Sequence, residues 1–238
     1  MDLSVVLPTV NEEKNVAELI PKLHRVCDEL RISHQVLVAD GGSTDATAAR
    51  AVEAGAEVFR QQQPGYGGAL VEAFQRVQGN HVLTMDCDLS HPPEVLRDLY
   101  SARAKADIII ASRYVKGGGA TMPLSRKLLS MILNKIFRWT LGIPILDMSS
   151  GFRLYRRELL EKLTTTHRDF SFGQDILIQA YSAGYSAYEV PFHYLPRVEG
   201  SSKARVFKFG ISYLKLLKAS WKLRGSIRTN ARLPESSG

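Results

Sequence analysis

The sequence predicts an α/β fold on a mainly parallel sheet, and three observations carry that prediction. Short β-branched apolar runs alternate with segments whose apolar residues recur at spacings of three and four. The runs are almost continuously apolar, which suits strands buried on both faces. Polar, glycine-containing stretches fall directly after several runs, where an open α/β sheet binds its ligands.

The elements follow in order. Leu3-Ser4-Val5-Val6-Leu7 reads as the first strand, and a helix is expected over 12–31, where Val16, Leu19, Ile20 and Leu23 share one face. Gln35-Val36-Leu37-Val38-Ala39 is the second strand, and 45–54 its helix. The short run Glu57-Val58-Phe59, a helix over 67–78, the strand His81-Val82-Leu83-Thr84-Met85, a helix over 93–104 and the strand Asp107-Ile108-Ile109-Ile110-Ala111 repeat the unit. After Gly119 the pattern changes to helices over 123–141, 155–163 and 174–184, a strand Tyr188–Leu195 and a basic amphipathic helix over 206–224. No internal repeat or low-complexity linker interrupts the 238 residues, which predicts one domain over 1–205 followed by a basic helix and loose tail over 206–238.

Hydrophobic residues at 45% and charged residues at 23% are globular values, which argues against a disordered, collagen-like or multi-span membrane protein. Two cysteines, Cys27 and Cys87, do not make a disulfide scaffold and read as reduced thiols. The formal charge of +7 is uneven. Residues 1–121 carry 12 Lys/Arg and 16 Asp/Glu, whereas 122–238 carry 19 and 8, so the second half is expected to face an anionic partner. The N-terminus lacks the basic start and cleavage site of a signal peptide, and no run of about 18 apolar residues is present. The expectation is a cytoplasmic protein, soluble or resting on the cytoplasmic face of a membrane.

Asp86 and Asp88 stand one residue apart at the end of an apolar strand, so period-two alternation would point both carboxylates the same way. Two hard oxygen ligands so placed suit Mg²⁺ or Mn²⁺, with phosphates completing the coordination. A turn-capping role before Pro92-Pro93 would use the same residues, and Cys87 between them reads as a core thiol. Asp40-Gly41-Gly42-Ser43-Thr44-Asp45 and Pro8-Thr9-Val10-Asn11-Glu12-Glu13 each have the composition of a strand-to-helix turn. Neither has the glycine spacing of a dinucleotide fingerprint or a P-loop.

Taken together and in order, these loops and Met85-Asp86-Cys87-Asp88-Leu89-Ser90-His91-Pro92-Pro93-Glu94 resemble the nucleotide-sugar half of a family 2 glycosyltransferase. The resemblance continues through Ser112-Arg113-Tyr114, Asp147-Met148-Ser149-Ser150-Gly151-Phe152-Arg153 and Glu189-Val190-Pro191-Phe192, and is similar to the dolichol-phosphate mannose synthase branch over roughly residues 3–210. It implies a GT-A fold, a nucleotide-diphosphate sugar donor and inverting transfer. Pro8, Asn11, Glu12 and Asp40 then match the base and ribose contacts, Asp86 the donor side and the metal, and Asp88 the metal. In this branch the acceptor is a polyprenyl phosphate, and Arg113, Arg126, Ser130, Arg197 and Lys203 match the residues that serve it. Arginine suits the task because its planar fork binds phosphate oxygens in pairs.

Three positions depart from the family pattern: Gly41 where many relatives have a second Asp, Tyr66 where Lys is common, and Ser90 where some synthases have Gln. Gln179 stands where many relatives place an acid, with Asp175 one helical turn earlier. A hydroxyl acceptor needs a carboxylate base, and Asp147 or Asp175 would serve; a phosphate oxygen is already ionised near neutral pH. The 206–224 segment, with Lys208, Lys215, Lys218, Lys222 and Arg224 among Phe207, Ile211, Leu214, Leu217 and Trp221, suits either an anionic leaflet or packing on the domain. Residues 128–141 offer a second apolar face flanked by Arg126, Lys127, Lys135 and Arg138, and the expected membrane contact is peripheral or through a partner. A non-enzymatic basic module remains as a third reading, but it leaves Asp86 and Asp88 unexplained and lacks a nucleic-acid motif.

Overall fold

The computed structural model describes residues 1–163, 169, 171–196, 212 and 215–231. Seven strands form one sheet in the order β3-β2-β1-β4-β7-β5-β8. They are β1 (Leu3–Thr9), β2 (His34–Asp40), β3 (Glu57–Arg60), β4 (His81–Thr84), β5 (Ile108–Ser112), β7 (Arg153–Arg156) and β8 (Ala187–Pro191). Every pairing is parallel except the two made by β7, which runs antiparallel to both β4 and β5. Two short strands, β6 (Gly119–Ala120) and β9 (His193–Tyr194), pair apart from the main sheet.

Helices cover both faces because alternate strand residues point to opposite sides. Leu3, Val5 and Leu7 of β1 pack beneath α1 (Glu13–Glu29), α2 (Thr47–Glu53) and α4 (Leu96–Ser101), which contribute Leu19, Ile20, Ala51 and Leu96 among others. Val6, Ile108 and Ile110 face the other layer, α3 (Tyr66–Phe74), α5 (Leu124–Leu141) and α7 (Phe172–Ser182). Each fully buried aliphatic side chain contributes about 1.5–3 kcal/mol, so these two clusters supply the gross driving force for the three-layer arrangement.

The expected strands are present, with two corrections. The helix expected over 155–163 is present as α6 (Arg157–Lys162), but Tyr155 and Arg156 belong to β7, a strand that was not expected. Arg153-Leu154-Tyr155-Arg156 has arginine at both ends and no continuous apolar run, so its pattern does not announce a central strand. The strand expected over Tyr188–Leu195 is divided at Phe192, whose N–H donates to Ser112 while its carbonyl accepts from Gly119, so the chain passes from β8 to β9 there. The expected 206–224 helix is described only in part. Residues 215–220 are helical, a 3-10 turn follows at Trp221–Leu223, and a last helix spans Arg224–Asn230. Leu216 and Ile227 from this region are buried in the cluster beneath α5 and α7.

The antiparallel β7 determines which loops meet. Thr84 at the end of β4 and Ile110 near the end of β5 both pair with Arg153, the first residue of β7. The segment entering β7, residues 147–152, therefore lies at the same sheet edge as the loops leaving β1, β2, β4 and β5. The order β2-β1-β4 also puts a topological switch point beside β1, where an open α/β sheet has its binding crevice.

Candidate active site

The loops after β1 and β2 are locked together. Asn11, with φ of 55° in the left-handed region that Asn tolerates, donates its N–H to Ser43 Oγ at 2.9 Å and accepts from Thr44 N at 2.8 Å. Asp40 accepts from Ser43 N at 3.0 Å and from Ser43 Oγ at 2.5 Å. Glu12 donates its N–H to Thr47 Oγ1 at 2.8 Å and accepts from Asn15 at 2.5 Å. Pro8 sits half-buried in β1 beside this cluster. Gly41 has a steric reason to be glycine, since a Cβ there would lie 2.5 Å from a Val10 methyl and 3.3 Å from the Thr9 carbonyl oxygen. A second aspartate at this position is incompatible with Val10 as it stands.

Asp86 and Asp88 lie in the loop beyond β4, which ends at Thr84, and not on the strand that alternation assumed. They differ in setting: Asp86 is half-buried, whereas Asp88 is buried and accepts from both Ser90 N, at 3.1 Å, and Ser90 Oγ. Ser90 thus positions a carboxylate oxygen. Cys87 is buried, and burial followed by the charges of Glu12, Asp88 and Asp86 pushes its thiol far up, so it stays neutral.

Across the edge, Arg113 follows β5 and makes the site's buried ion pair. Its Nε donates to Asp147 Oδ2 at 2.7 Å, its Nη2 to Asp147 Oδ1 at 2.6 Å and to Ser149 Oγ at 2.6 Å, and its backbone N–H to Asp147 Oδ2 at 3.0 Å. Burial alone would raise the Asp147 carboxyl, but Arg113 and these hydrogen bonds hold it below the usual carboxylate range. Glu189 of β8 supports the turn by accepting from Leu146 N at 2.8 Å and Asp147 N at 2.9 Å. Ser149 Oγ also meets Ser130 Oγ of α5 at 3.1 Å, which ties α5 to the arginine. Arg126 lies one helical turn before Ser130 and so shares its face.

One cleft joins residues from the loops beyond β4 and β5, from α5 and from the segment entering β7, while Pro8, Asn11, Glu12, Asp40 and Asp88 are not among its lining. Asp86, Arg113, Arg126, Ser149, Gly151 and Arg153 line it together with Tyr66, His91 and Tyr194. Gly151 keeps it open, because a Cβ there would lie 3.1 Å from the Tyr66 hydroxyl and 3.9 Å from Asp86 Oδ1. Burial, and then the charge of Asp86, raise the Tyr66 hydroxyl well above its ordinary range, so this chain presents a neutral phenol where Lys is common in the family.

The structure therefore brings Asp86, Arg113, Arg126 and Ser130 to one place, with Asp88 in the same loop as Asp86. Arg197 and Lys203 lie outside the described residues. Asp147, an alternative base, is engaged by Arg113, and Asp175, the other, accepts from Gln179 at 2.7 Å and lines a different cavity beside residues 216–223. Sequence reasoning assigned no role to Ser149, Gly151 or Arg153, although all three stand in a quoted motif. No local signal marked Arg153, which stands at the head of a segment that also ends in arginine. It is fully buried, and its guanidinium donates to the carbonyls of Ser150, Gly173 and Met148.

Residues 4–164 match the family described as Glycosyl transferase family 2. A polyprenol monophosphomannose synthase from Mycolicibacterium smegmatis is 35% identical, over 94% of this chain and 88% of that protein. A dolichol-phosphate mannosyltransferase from Pyrococcus furiosus is 33% identical over 95% of this chain and 66% of its own length. Among solved structures, glucosyl-3-phosphoglycerate synthase from Mycobacterium tuberculosis, bound to Mn²⁺, UDP and glucosyl-3-phosphoglycerate, superposes with a TM-score of 0.71. It is 21% identical, covers 99% of this chain and 81% of that one, and shows the common GT-A fold. The ordered carboxylate loops, the sheet that gathers them and these matches converge on one conclusion: the chain belongs to the family 2 glycosyltransferases and is a hexosyltransferase similar to the polyprenol-phosphate mannose synthases.

Proposed function

We propose that the protein transfers mannose, with inversion, from a nucleotide-diphosphate sugar to a polyprenyl phosphate. The observation that supports this reading is the cleft that Arg113, Arg126 and Ser149 line together with Asp86, so that groups suited to phosphate share one cavity with a carboxylate assigned to the donor side. The mannose synthase and mannosyltransferase relatives at 35% and 33% identity support the sugar and the acceptor. Pro8, Asn11, Glu12 and Asp40 bind the nucleoside in this reading. Arg113, Arg126 and Ser130 orient the acceptor phosphate, and Arg197 and Lys203 belong to the same proposal.

Two carboxylates in one loop fit a hard divalent cation. Among the described residues no cluster of three or more His, Cys, Asp or Glu is gathered for a metal, so Asp86 and Asp88 would hold it with the donor's phosphate oxygens. Mg²⁺ or Mn²⁺ bound there supplies neutralisation of the charge on the departing diphosphate. The acceptor phosphate oxygen forms the new bond to the anomeric carbon while the bond from that carbon to the diphosphate oxygen breaks and its electron pair leaves with the nucleoside diphosphate. No proton has to be removed from an ionised phosphate. This agrees with the engagement of Asp147 by Arg113 and of Asp175 by Gln179.

A lipid acceptor also accounts for the outer face of α5. Asn134, Phe137 and Leu141 are its buried residues, while Leu124, Leu128, Ile132 and Trp139 are exposed, Trp139 at 84%. Arg126, Lys127, Lys135 and Arg138 flank that face, the composition of a helix lying on an anionic leaflet. No helix among the described residues is long and apolar enough to cross a membrane. The proposal places α5 on the cytoplasmic surface, with the acceptor's head group in the cleft and its chain in the lipid.

The test is a donor screen with labelled GDP-mannose, UDP-glucose and UDP-GlcNAc, with and without polyprenyl phosphate and Mn²⁺. A lipid-linked mannose product that requires both the phosphate and the cation is expected. Transfer only to soluble hydroxyl acceptors would refute the acceptor assignment.

A further inference from the structure

We infer that His91 is a positioning residue for the Asp86 carboxylate, as Ser90 is for Asp88, an inference that rests on reading those carboxylates as cation ligands. The Asp86 backbone N–H donates to His91 Nδ1 at 3.0 Å, closing a turn of six residues. Because Nδ1 accepts, the proton of the neutral ring belongs on Nε2. The ring is pinned on several sides. It stacks on Phe152 at 5.0 Å and 16°, and meets the edges of Phe192 and Tyr194 at 5.7 Å and 5.9 Å. Phe152 precedes β7, Phe192 follows β8 and Tyr194 is in β9, so one imidazole ties the carboxylate loop to three other parts of the fold.

The turn needs such a closure. Leu89 within it has φ of 60°, a left-handed conformation that costs a leucine on the order of 1–2 kcal/mol. Two short-range closures oppose its opening: Ser90 onto Asp88, and the Asp86 amide onto His91. Ser90 orients a carboxylate oxygen directly, whereas His91 holds the backbone from which the Asp86 side chain extends. Cation ligands must be placed to within about 0.5 Å, and a ring packed among aromatics supplies that rigidity better than a solvated side chain. His91 acts through Asp86, and its Nδ1 is committed to a backbone amide.

The test compares His91→Phe, which keeps a ring against Phe152 but has no acceptor, with His91→Asn, which keeps an acceptor near the Nδ1 position but loses the ring. Mn²⁺ binding to the full chain is measured by the electron paramagnetic resonance of free Mn²⁺ with GDP or UDP present, alongside thermal unfolding. His91→Phe is expected to weaken Mn²⁺ binding about tenfold while melting near the wild type. His91→Asn is expected to bind Mn²⁺ more nearly as the wild type does although it melts lower. A purely structural role predicts that affinity follows melting temperature in both variants, and that outcome overturns the inference. So does Mn²⁺ binding by His91→Phe within twofold of the wild type. If the wild type itself bound no more Mn²⁺ than Asp88→Ala, the carboxylate reading would fall first, and the two failures are thereby distinguished.

Discussion

Asp147→Asn separates a base from a counter-ion. Asp147 is fully buried and Arg113 is 11% exposed at its side chain, so the pair is held in a poorly solvated setting. Removing one member of a buried pair costs about 3–5 kcal/mol because the remaining charge is left uncompensated. The asparagine oxygen can still accept one hydrogen bond, which points to the lower end, about 3 kcal/mol. For a chain of this length 1 kcal/mol moves the melting temperature by about 2–4 °C, so a fall of roughly 6–12 °C is expected. The folded-state pKa of Asp147 is depressed, so its contribution is present above the ordinary value of 3.8 and is lost as pH falls through the folded value. The difference between wild type and variant should therefore shrink in strong acid. Transfer to polyprenyl phosphate should fall with the displacement of Arg113. The double variant Arg113→Met with Asp147→Leu should regain stability without regaining acceptor use. Thermal melts at several pH values with acceptor kinetics measure all of this. A variant that melts within 1–2 °C of the wild type, as a rough bound, yet has lost transfer would refute the counter-ion argument and restore Asp147 as a base.

Gly41→Ala should destabilise by about 1–3 kcal/mol, because the added methyl meets Val10 at 2.5 Å, and Val10→Ala in the same chain should recover most of the loss. Denaturant midpoints of the single and double variants decide it; equal losses in both would show that the Thr9 carbonyl, not Val10, is the obstacle. His24 is held below its ordinary pKa of 6.5 by burial and by His34, whose Nε2 lies 2.7 Å from its Nδ1. The unfolded chain then binds more protons, so stability should fall as pH drops below about 6.5, and His24→Gln should flatten the fall in a pH series of melts. His81, lowered by burial and by Arg103 and Arg156, acts in the same direction, so some slope should persist. Trp139→Glu should reduce sedimentation with anionic vesicles severalfold while leaving the melting temperature within about 1 °C, since the side chain is exposed. Unchanged sedimentation would remove α5 from the lipid surface.

The parts of the fold visible in the sequence were those with local signatures. β1, β2, β4 and β5 are apolar runs buried on both faces, and α1 repeats its apolar residues with helical spacing, so period and burial agree. β7 was invisible because its four residues begin and end in arginine, and the burial of Arg153 is satisfied by carbonyls from 148, 150 and 173 that no local window contains. In the site, Asp86 and Asp88 were legible from spacing, although their orientation is set by a loop and by Ser90 and not by strand alternation. The bond from Arg113 to Asp147 was not legible, because it joins residues 34 apart through the antiparallel placement of β7.

That pair also revises what the charge distribution means. The division of the sequence into an acidic half and a basic half predicts carboxylates on the donor side and cations on the acceptor side, and the proposed function uses Asp40, Asp86, Asp88 and Arg126 in that way. Arg113 does not, since it comes from the acidic half and is neutralised by an aspartate from the basic half. Its guanidinium is therefore a poor long-range attractant. In the proposed function the pair supplies a rigid array, with Ser149 shared between Arg113 and Ser130, that would meet the acceptor phosphate without first having to order its side chains. The uncompensated attraction for an anionic acceptor falls to Arg126 and the exposed cations beside it on α5. Specific contact and electrostatic capture are thus carried by different arginines, and raising the salt concentration should weaken the second much more than the first.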